Sequence, residues 1–225
     1  MKRAAYSALV LAAIFFMGVW VLMAQGPDYE RILQLARQRY GEQAAQTLRE
    51  WQKLIADARG LEDLEKIKRV NDFLNTRVRY GDNITTWGGD NYWATPLESL
   101  GRGQGDCKGY AIAKYVTLKI LSVPTERMRL IYVRAKIGSF ISYDMVPHMV
   151  VGYFPTPDAD PLILDNLDPD IRPASGRGDL FPIFSFNSDG LWIGKPSESR
   201  SSHTGDTGLS KWRDVIARMQ AEGFE

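Results

Sequence analysis

Apolar residues recur at helical spacing through the first half of the chain and at alternate positions after residue 127, so the sequence predicts helices followed by strands. Ile32, Leu33 and Ala36 predict a short amphipathic helix from Tyr29 to about Tyr40. Ala44, Leu48, Trp51, Ile55 and Ala58 predict a second over Glu42 to Ala58, stopped by Gly60. A third, from Leu61 to about Thr76, places Leu64, Ile67, Val70, Phe73 and Leu74 on one face. Glu62, Asp63, Lys66, Lys68 and Arg69 cover the other, which reads as solvated. Val78, Tyr80 and Gly81-Asp82-Asn83 then lead into residues 87–96, whose density of Trp, Tyr and Gly suggests a packed loop rather than a linker. A central helix is predicted from Cys107 to about Leu121. It carries Ala111, Tyr115 and Leu118 on one stripe with Ile112, Val116 and Ile120 beside it, and it ends before Pro124.

Strands are predicted over Met128 to Ala135, Val146 to Phe154 and Pro161 to Asp165, separated by Gly138-Ser139 and Pro155-Thr156-Pro157-Asp158. Three sequential strands with short connections favour an antiparallel meander over parallel crossovers. Arg172 to Gly178 reads as a loop, Pro182 to Phe186 as a further strand, and Ser197 to Thr207 as polar and mobile. Leu209, Trp212, Val215, Ile216 and Met219 predict a C-terminal amphipathic helix. The expected class is therefore α+β: N-terminal helices and a central helix packed on an antiparallel sheet.

Lys2 and Arg3 precede an uncharged apolar run from Ala4 to Ala24, which ends at Gln25-Gly26-Pro27-Asp28. This is the pattern of a secretory signal cut after Ala24, or, at about 20 apolar residues, of an uncleaved membrane anchor. Leu22, three residues before that cut, is not small and counts against cleavage. The expected division is a signal peptide or anchor over 1–25 and one domain over 28–225, exported in either case. With 28 basic and 27 acidic side chains the net charge is +1, and nothing points to a nucleic-acid partner. Function has to come from a local site.

The chain has one cysteine, so it holds no internal disulfide. In Gly105-Asp106-Cys107-Lys108, Asp106 reads as an N-cap and Cys107 as the first helical residue. There the thiol faces unpaired N–H groups and the positive helix end, a setting that favours thiolate, and Lys108 adds charge. The opposing reading is a small buried apolar residue. A thiol nucleophile needs a base, and a base needs an orienting group. Of two histidines, His203 lies in a polar tail, whereas His148 begins an apolar strand at Pro147-His148-Met149-Val150. Asp165 closes the next strand, Leu162-Ile163-Leu164, while Asp160, Asp168 and Asp170 read as loop acids. As oxyanion or substrate donors just upstream of the thiol, Trp93 and Gln104 are candidates, with Trp93 preferred.

The order Cys on a helix start, then His and Asp on successive strands, resembles that of the bacterial transglutaminase-like cysteine proteinases, the group containing the LapG-type periplasmic proteases. The likeness is carried by Tyr92-Trp93-Ala94-Thr95-Pro96-Leu97-Glu98, Gly105-Asp106-Cys107, Tyr110 to Tyr115, His148-Met149-Val150, Tyr153 to Ala159 and Leu164-Asp165-Asn166-Leu167. Ser185-Phe186-Asn187 and Gly190-Leu191-Trp192 extend it. The resemblance implies a papain-like, transglutaminase-like fold with Cys107 as nucleophile, His148 as base and Asp165 as orienter. It also implies cleavage of a large surface adhesin near its N-terminus, at paired alanines, which releases cells from a biofilm. An inner-membrane cyclic-di-GMP receptor would control the protease. Other expectations for the same fold are transglutaminase or amidase acyl transfer, or a non-catalytic module that docks a receptor. LapG-type enzymes bind calcium with acids before and after the nucleophile; here Asp106 remains, but Lys108 and Gly109 follow. Since calcium favours carboxylate oxygens, weak or absent calcium binding is expected at Asp106 and no cofactor is required, unless Asp82 or Asp90 compensates.

Overall fold

Asp28 opens the first helix, α1 (Tyr29–Tyr40), by accepting the Arg31 N–H on its side chain. Two longer helices follow, α2 (Glu42–Ala58) and α3 (Asp63–Arg77), and their apolar stripes are buried together. The computed structural model describes residues 26–139, 142–193, 200–201 and 209–224. The apolar N-terminal run and His203, with the expectations placed on them, lie outside the described residues.

The buried face of α3 is rotated from the one its hydrophobic pattern predicts. Leu64 is 59% exposed, whereas Lys66 is buried beside Ile67, Val70, Asn71 and Leu74. The reason is the reach of the Lys66 side chain. Its apolar stem packs inward while Nζ pairs with Asp63 at 3.3 Å.

The packed stretch after α3 holds β1 (Arg79–Tyr80), α4 (Asn83–Trp87), α5 (Pro96–Arg102) and β2 (Gln104–Gly105). α5 is opened by a capping box: Thr95 accepts the Glu98 N–H and Glu98 accepts the Thr95 N–H, with Pro96 in the first turn. β1 and β2 pair in parallel, Arg79 opposite Gln104. This short pair delivers the chain to the central helix, α6 (Cys107–Ile120), which is buried along nearly its whole length.

The remaining elements are β3 (Met128–Gly138), β4 (Tyr143–Tyr153), β5 (Leu162–Leu164), β6 (Arg172–Pro173), β7 (Leu180–Phe186), β8 (Leu191–Ile193), β9 (Arg200–Ser201) and α7 (Leu209–Glu222). They form an antiparallel seven-stranded sheet in the order β6-β5-β4-β3-β7-β8-β9. The meander predicted over β3, β4 and β5 is present, and β7 returns to the free edge of β3. Strand alternation then sorts the side chains. Leu130, Met149, Val151, Leu164, Phe186 and Leu191 join the helices in the main core, whereas Ile131, Val133, Val150 and Ile163 form a separate cluster on the opposite face. Within the main core the Trp51 indole donates to Thr117 Oγ1 at 2.9 Å, and the Tyr29 and Phe224 rings pack against Trp51. Among the described residues no helix is long and apolar enough to cross a membrane.

Candidate active site

The start of α6 is pinned from three sides. Asp106 Oδ1 accepts the N–H groups of Lys108 and Gly109, both at 3.1 Å, and Oδ2 pairs with Lys108 Nζ. Tyr110 donates its hydroxyl to the Val78 carbonyl. Gly109 lets α5 and α6 approach closely, because a Cβ there would lie 2.9 Å from Ser99 Oγ. Cys107, at the first helical position, is consequently held in place and half-buried.

His148 lies on β4 opposite Val133. β5 pairs only with Val151 to Tyr153 of β4, so among the described residues the edge of β4 is open at His148 and the start of α6 fits there. Asp165 directly follows β5, whose Leu164 pairs with Val151. The structure brings the three side chains together. His148 Nε2 lies 2.7 Å from Asp165 Oδ1, and the imidazole lines the same cleft as Cys107, whose interaction with it favours the charged ring. With Nε2 on the carboxylate, Nδ1 is the ring nitrogen left for the thiol.

The Asp165 carboxylate and the His148 ring are both almost fully buried. Burial alone would lower the pKa of His148, but the hydrogen bonds and charges of Asp165 and Cys107 outweigh it and raise the value from 6.5 to about 9. Burial would likewise raise the pKa of Asp165, yet His148, Arg177 and the Leu167 N–H hold its carboxyl down at about 2. A carboxylate thus faces an imidazole that favours its charged form, which in turn meets a thiol. Such an arrangement is suited to a thiolate–imidazolium pair.

Asp165 has more partners than His148. Its Oδ1 also accepts the N–H groups of Asn166 at 2.7 Å and Leu167 at 3.1 Å, and Oδ2 accepts from Arg177 Nη2 at 2.7 Å. Its main-chain carbonyl accepts from Lys114 Nζ and Asn75 Nδ2, both at 2.8 Å. The hydrophobic pattern gave no sign of Arg177 or Asn75. One clue was available in Lys114, a single cation on two otherwise apolar stripes; burial lowers its pKa to about 7 despite the nearby charges of Asp165 and Asp72.

Cys107 and His148 open onto a cleft of about 530 Å³ that is also lined by Trp93, Tyr132, Pro147 and Phe184. Tyr132 and Phe184 stack at 5.1 Å between ring centroids, and Trp93 stacks on Phe186 at 5.9 Å. The Trp93 indole donates to Asn91 Oδ1 at 3.2 Å. Gln104 is not among the residues lining the cleft; its side chain covers Gly81, where a Cβ would lie 2.2 Å from Nε2. A second cavity, of about 480 Å³, lies over the opposite face of the sheet and contains neither Cys107 nor His148. Among the described residues no three His, Cys, Asp or Glu side chains cluster as a metal site would require.

A family model for the bacterial transglutaminase-like cysteine proteinases (BTLCP) matches residues 38–179. LapG of Legionella pneumophila has a similar fold, with a TM-score of 0.69 at 33% identity over 86% of this chain and 99% of that one. Its EGTA-treated form gives 0.70 at 35%, covering 86% and 100%, and its calcium-bound form 0.69 at 34%, covering 85% and 98%. No protein of curated function matches in sequence. The fold is accordingly transglutaminase-like, as the residues suggested. The expectation of a cofactor-free protein with weak or absent calcium binding does not stand, since solved relatives include a calcium-bound and an EGTA-treated form. The expectation rested on counting carboxylates beside Cys107, whereas calcium also takes main-chain carbonyl and water oxygens, so two missing acids do not exclude it.

Proposed function

The chain belongs to the bacterial transglutaminase-like cysteine proteinases, and on that premise we propose that it is an exported cysteine endopeptidase with Cys107 as nucleophile, His148 as general acid and base, and Asp165 as the group that orients His148. The observation that carries this reading is that a half-buried thiol at a helix start and a buried imidazole line one cleft, and the imidazole is hydrogen-bonded at 2.7 Å to a buried carboxylate.

In the proposed reaction the Cys107 thiolate adds to the scissile carbonyl and the C–N bond breaks. The amine leaves with the proton from His148 Nδ1, giving a thioester. His148 then takes a proton from water, whose oxygen adds to the thioester, and the acid product leaves as the thiolate re-forms. Asp165 keeps Nε2 protonated and stabilises the imidazolium without itself taking the proton. For the developing oxyanion we assign the Cys107 N–H at the helix start, with Trp93 as the side-chain donor, since Trp93 lines the cleft beside Cys107. Trp93 would exchange Asn91 for the substrate oxygen, whereas Gln104 would first have to leave Gly81.

The substrate in this reading is a large cell-surface adhesin cut near its N-terminus, in the periplasm, under the control of an inner-membrane cyclic-di-GMP receptor. Residues 1–25 would direct export. Calcium comes to this chain from its calcium-bound relative. As the side chains stand, Asp106 offers it no ready cage, because its oxygens are bonded to two N–H groups and to Lys108 Nζ. An ion there would have to displace Lys108 and draw oxygens from main chain and water.

The test is to incubate an N-terminal adhesin fragment with the wild-type protein and with Cys107→Ala and follow the products by gel and mass spectrometry. A single cut by the wild type and none by the variant is expected. Equal cleavage by both would refute the assignment of Cys107.

A further inference from the structure

Arg177 sits in Ser175-Gly176-Arg177-Gly178, a sequence with the composition of a surface loop, yet it is only 2% exposed. Burying a guanidinium is costly unless carboxylates meet it. Here they do. Nη2 donates to Asp165 Oδ2 at 2.7 Å and to Asp179 Oδ2 at 2.8 Å, Nε donates to Asp179 Oδ1 at 2.9 Å, and Asp168 Oδ2 lies 3.8 Å from Nε.

The contact with Asp165 differs in kind from the others. Asp165 Oδ1 carries His148 and two main-chain N–H groups, and among the described residues Arg177 is the side chain that donates to Oδ2, which gives the carboxylate a second point of attachment against rotation about Cβ–Cγ. Resting on the Cys107–His148–Asp165 reading, we propose that Arg177 is a positioning residue of the active site: it clamps Asp165 Oδ2 so that Oδ1 stays aimed at His148, and its charge moderates how strongly Asp165 holds the imidazolium. The charged and titratable groups around this core are Cys107 and His148 on one side, Lys114 on the Asp165 carbonyl with Asp72 behind it, and Asp168 and Asp179 around Arg177.

The sign of the effect follows from the charges. Arg177 has the same sign as imidazolium and opposes it, while favouring ionised Asp165. Removing the guanidinium therefore raises the titration midpoints of both groups. Loss of the clamp leaves the Asp165 charge beside the imidazole but frees the carboxylate to turn, and lowers kcat on the order of 10²-fold with KM little changed.

The experiment compares wild type, Arg177→Met, Arg177→Lys and Asp179→Asn in the full-length protein. The first readout is the imidazole titration by NMR. The chain has only two histidines, so His203 serves as the internal reference. The second is kcat and KM against pH on the cleaved fragment. Arg177→Met should move the His148 midpoint up by about one pH unit, leave His203 unmoved and shift the alkaline limb of kcat upward. Arg177→Lys should restore part of each effect. Asp179→Asn, which loosens the 172–180 segment without touching Asp165, should keep the wild-type midpoints. An unmoved His148 midpoint in folded Arg177→Met, or the same shifts in Asp179→Asn, would overturn the proposal. The NMR readout stands even if no cleavage is found, so its failure and that of the peptidase reading are told apart.

Discussion

Replacing Asp165 by Asn preserves the size of the side chain and removes its charge, at a point where both carboxylate oxygens are engaged. In the wild type, His148 titrates at about 9 instead of 6.5, a difference worth about 3 kcal/mol in favour of imidazolium. Because burial opposes that rise, the attractive contributions of Asp165 and Cys107 together exceed it. If half or more of this preference is Asp165's, and the Asn amide turns its NH2 toward Nε2 and enforces the wrong tautomer, kcat/KM should fall by about 10² to 10⁴-fold. The alkaline limb of the activity, expected near pH 9 because the imidazolium persists below the raised value, should move toward neutral pH. Stability should fall as well, by up to about 3 kcal/mol, since Arg177 loses one buried partner while keeping Asp179 at 2.8 Å. The linkage sign is fixed by the lowered Asp165 value: its contribution to stability is complete above the ordinary carboxylate pKa and is lost as pH falls through about 2. The assay is kcat/KM on the cleaved fragment across pH, run well below the variant's own Tm. A folded Asp165→Asn protein within about threefold of wild type, with the same alkaline limb, would refute the orienting role.

Two further outcomes are expected. Calcium added to chelator-treated protein should raise Tm and give a saturable heat by calorimetry, and Lys108→Ala, which frees Asp106 Oδ2, should tighten the binding; no heat and no Tm change in either protein would remove calcium from the ligands of this chain. Thr117→Val should leave the Trp51 indole N–H without the acceptor it now has at 2.9 Å, at a cost of about 1–3 kcal/mol, or several degrees in Tm. Activity should be unchanged, since Thr117 faces the helical core and not the cleft, and an unaltered urea midpoint would show that this buried bond adds nothing.

The helices and the meander were legible because each follows from a local period. The misreadings fall where a local rule meets a competing one. The stretch 87–96 was read as a packed loop on its Gly and aromatic content, although Thr95-Pro96-Leu97-Glu98 carries the signature of a capped helix start and does open α5. On α3 the apolar count favoured Leu64 over Lys66. The long Lys66 stem, with Asp63 in reach of its ammonium, reversed that choice. The place of β7 beside β3 was not readable at all. Nothing in Pro182 to Phe186 states which edge it joins, and the pairing is decided by the match of Phe184 and Phe186 to Tyr132 and Leu130 across more than 50 residues.

The same division of local from distant runs through the site. Cys107 could be singled out because the cap at Asp106 and the start of a helix are neighbours in sequence, and His148 and Asp165 because strands announce their ends. The partners of Asp165 belong to another category. A carboxylate buried this deeply requires donors on both oxygens, and its buried main-chain carbonyl requires one too, so the need for groups such as Arg177 on the one and Lys114 and Asn75 on the other follows from Asp165 itself. Their identities do not. Arg177 lies 12 residues away in a loop of Ser and Gly, Lys114 lies 51 away on α6, and Asn75 lies 90 away on α3. Arg177 and Asn75 look like ordinary surface residues in their own segments, Lys114 stands out only as a cation on an apolar helix, and each becomes necessary only when the fold places it at the end of β5. Asp165 is thus held, carboxylate and main-chain carbonyl together, from three separate segments. A substitution in any of them should reach His148 through Asp165 without touching the cleft.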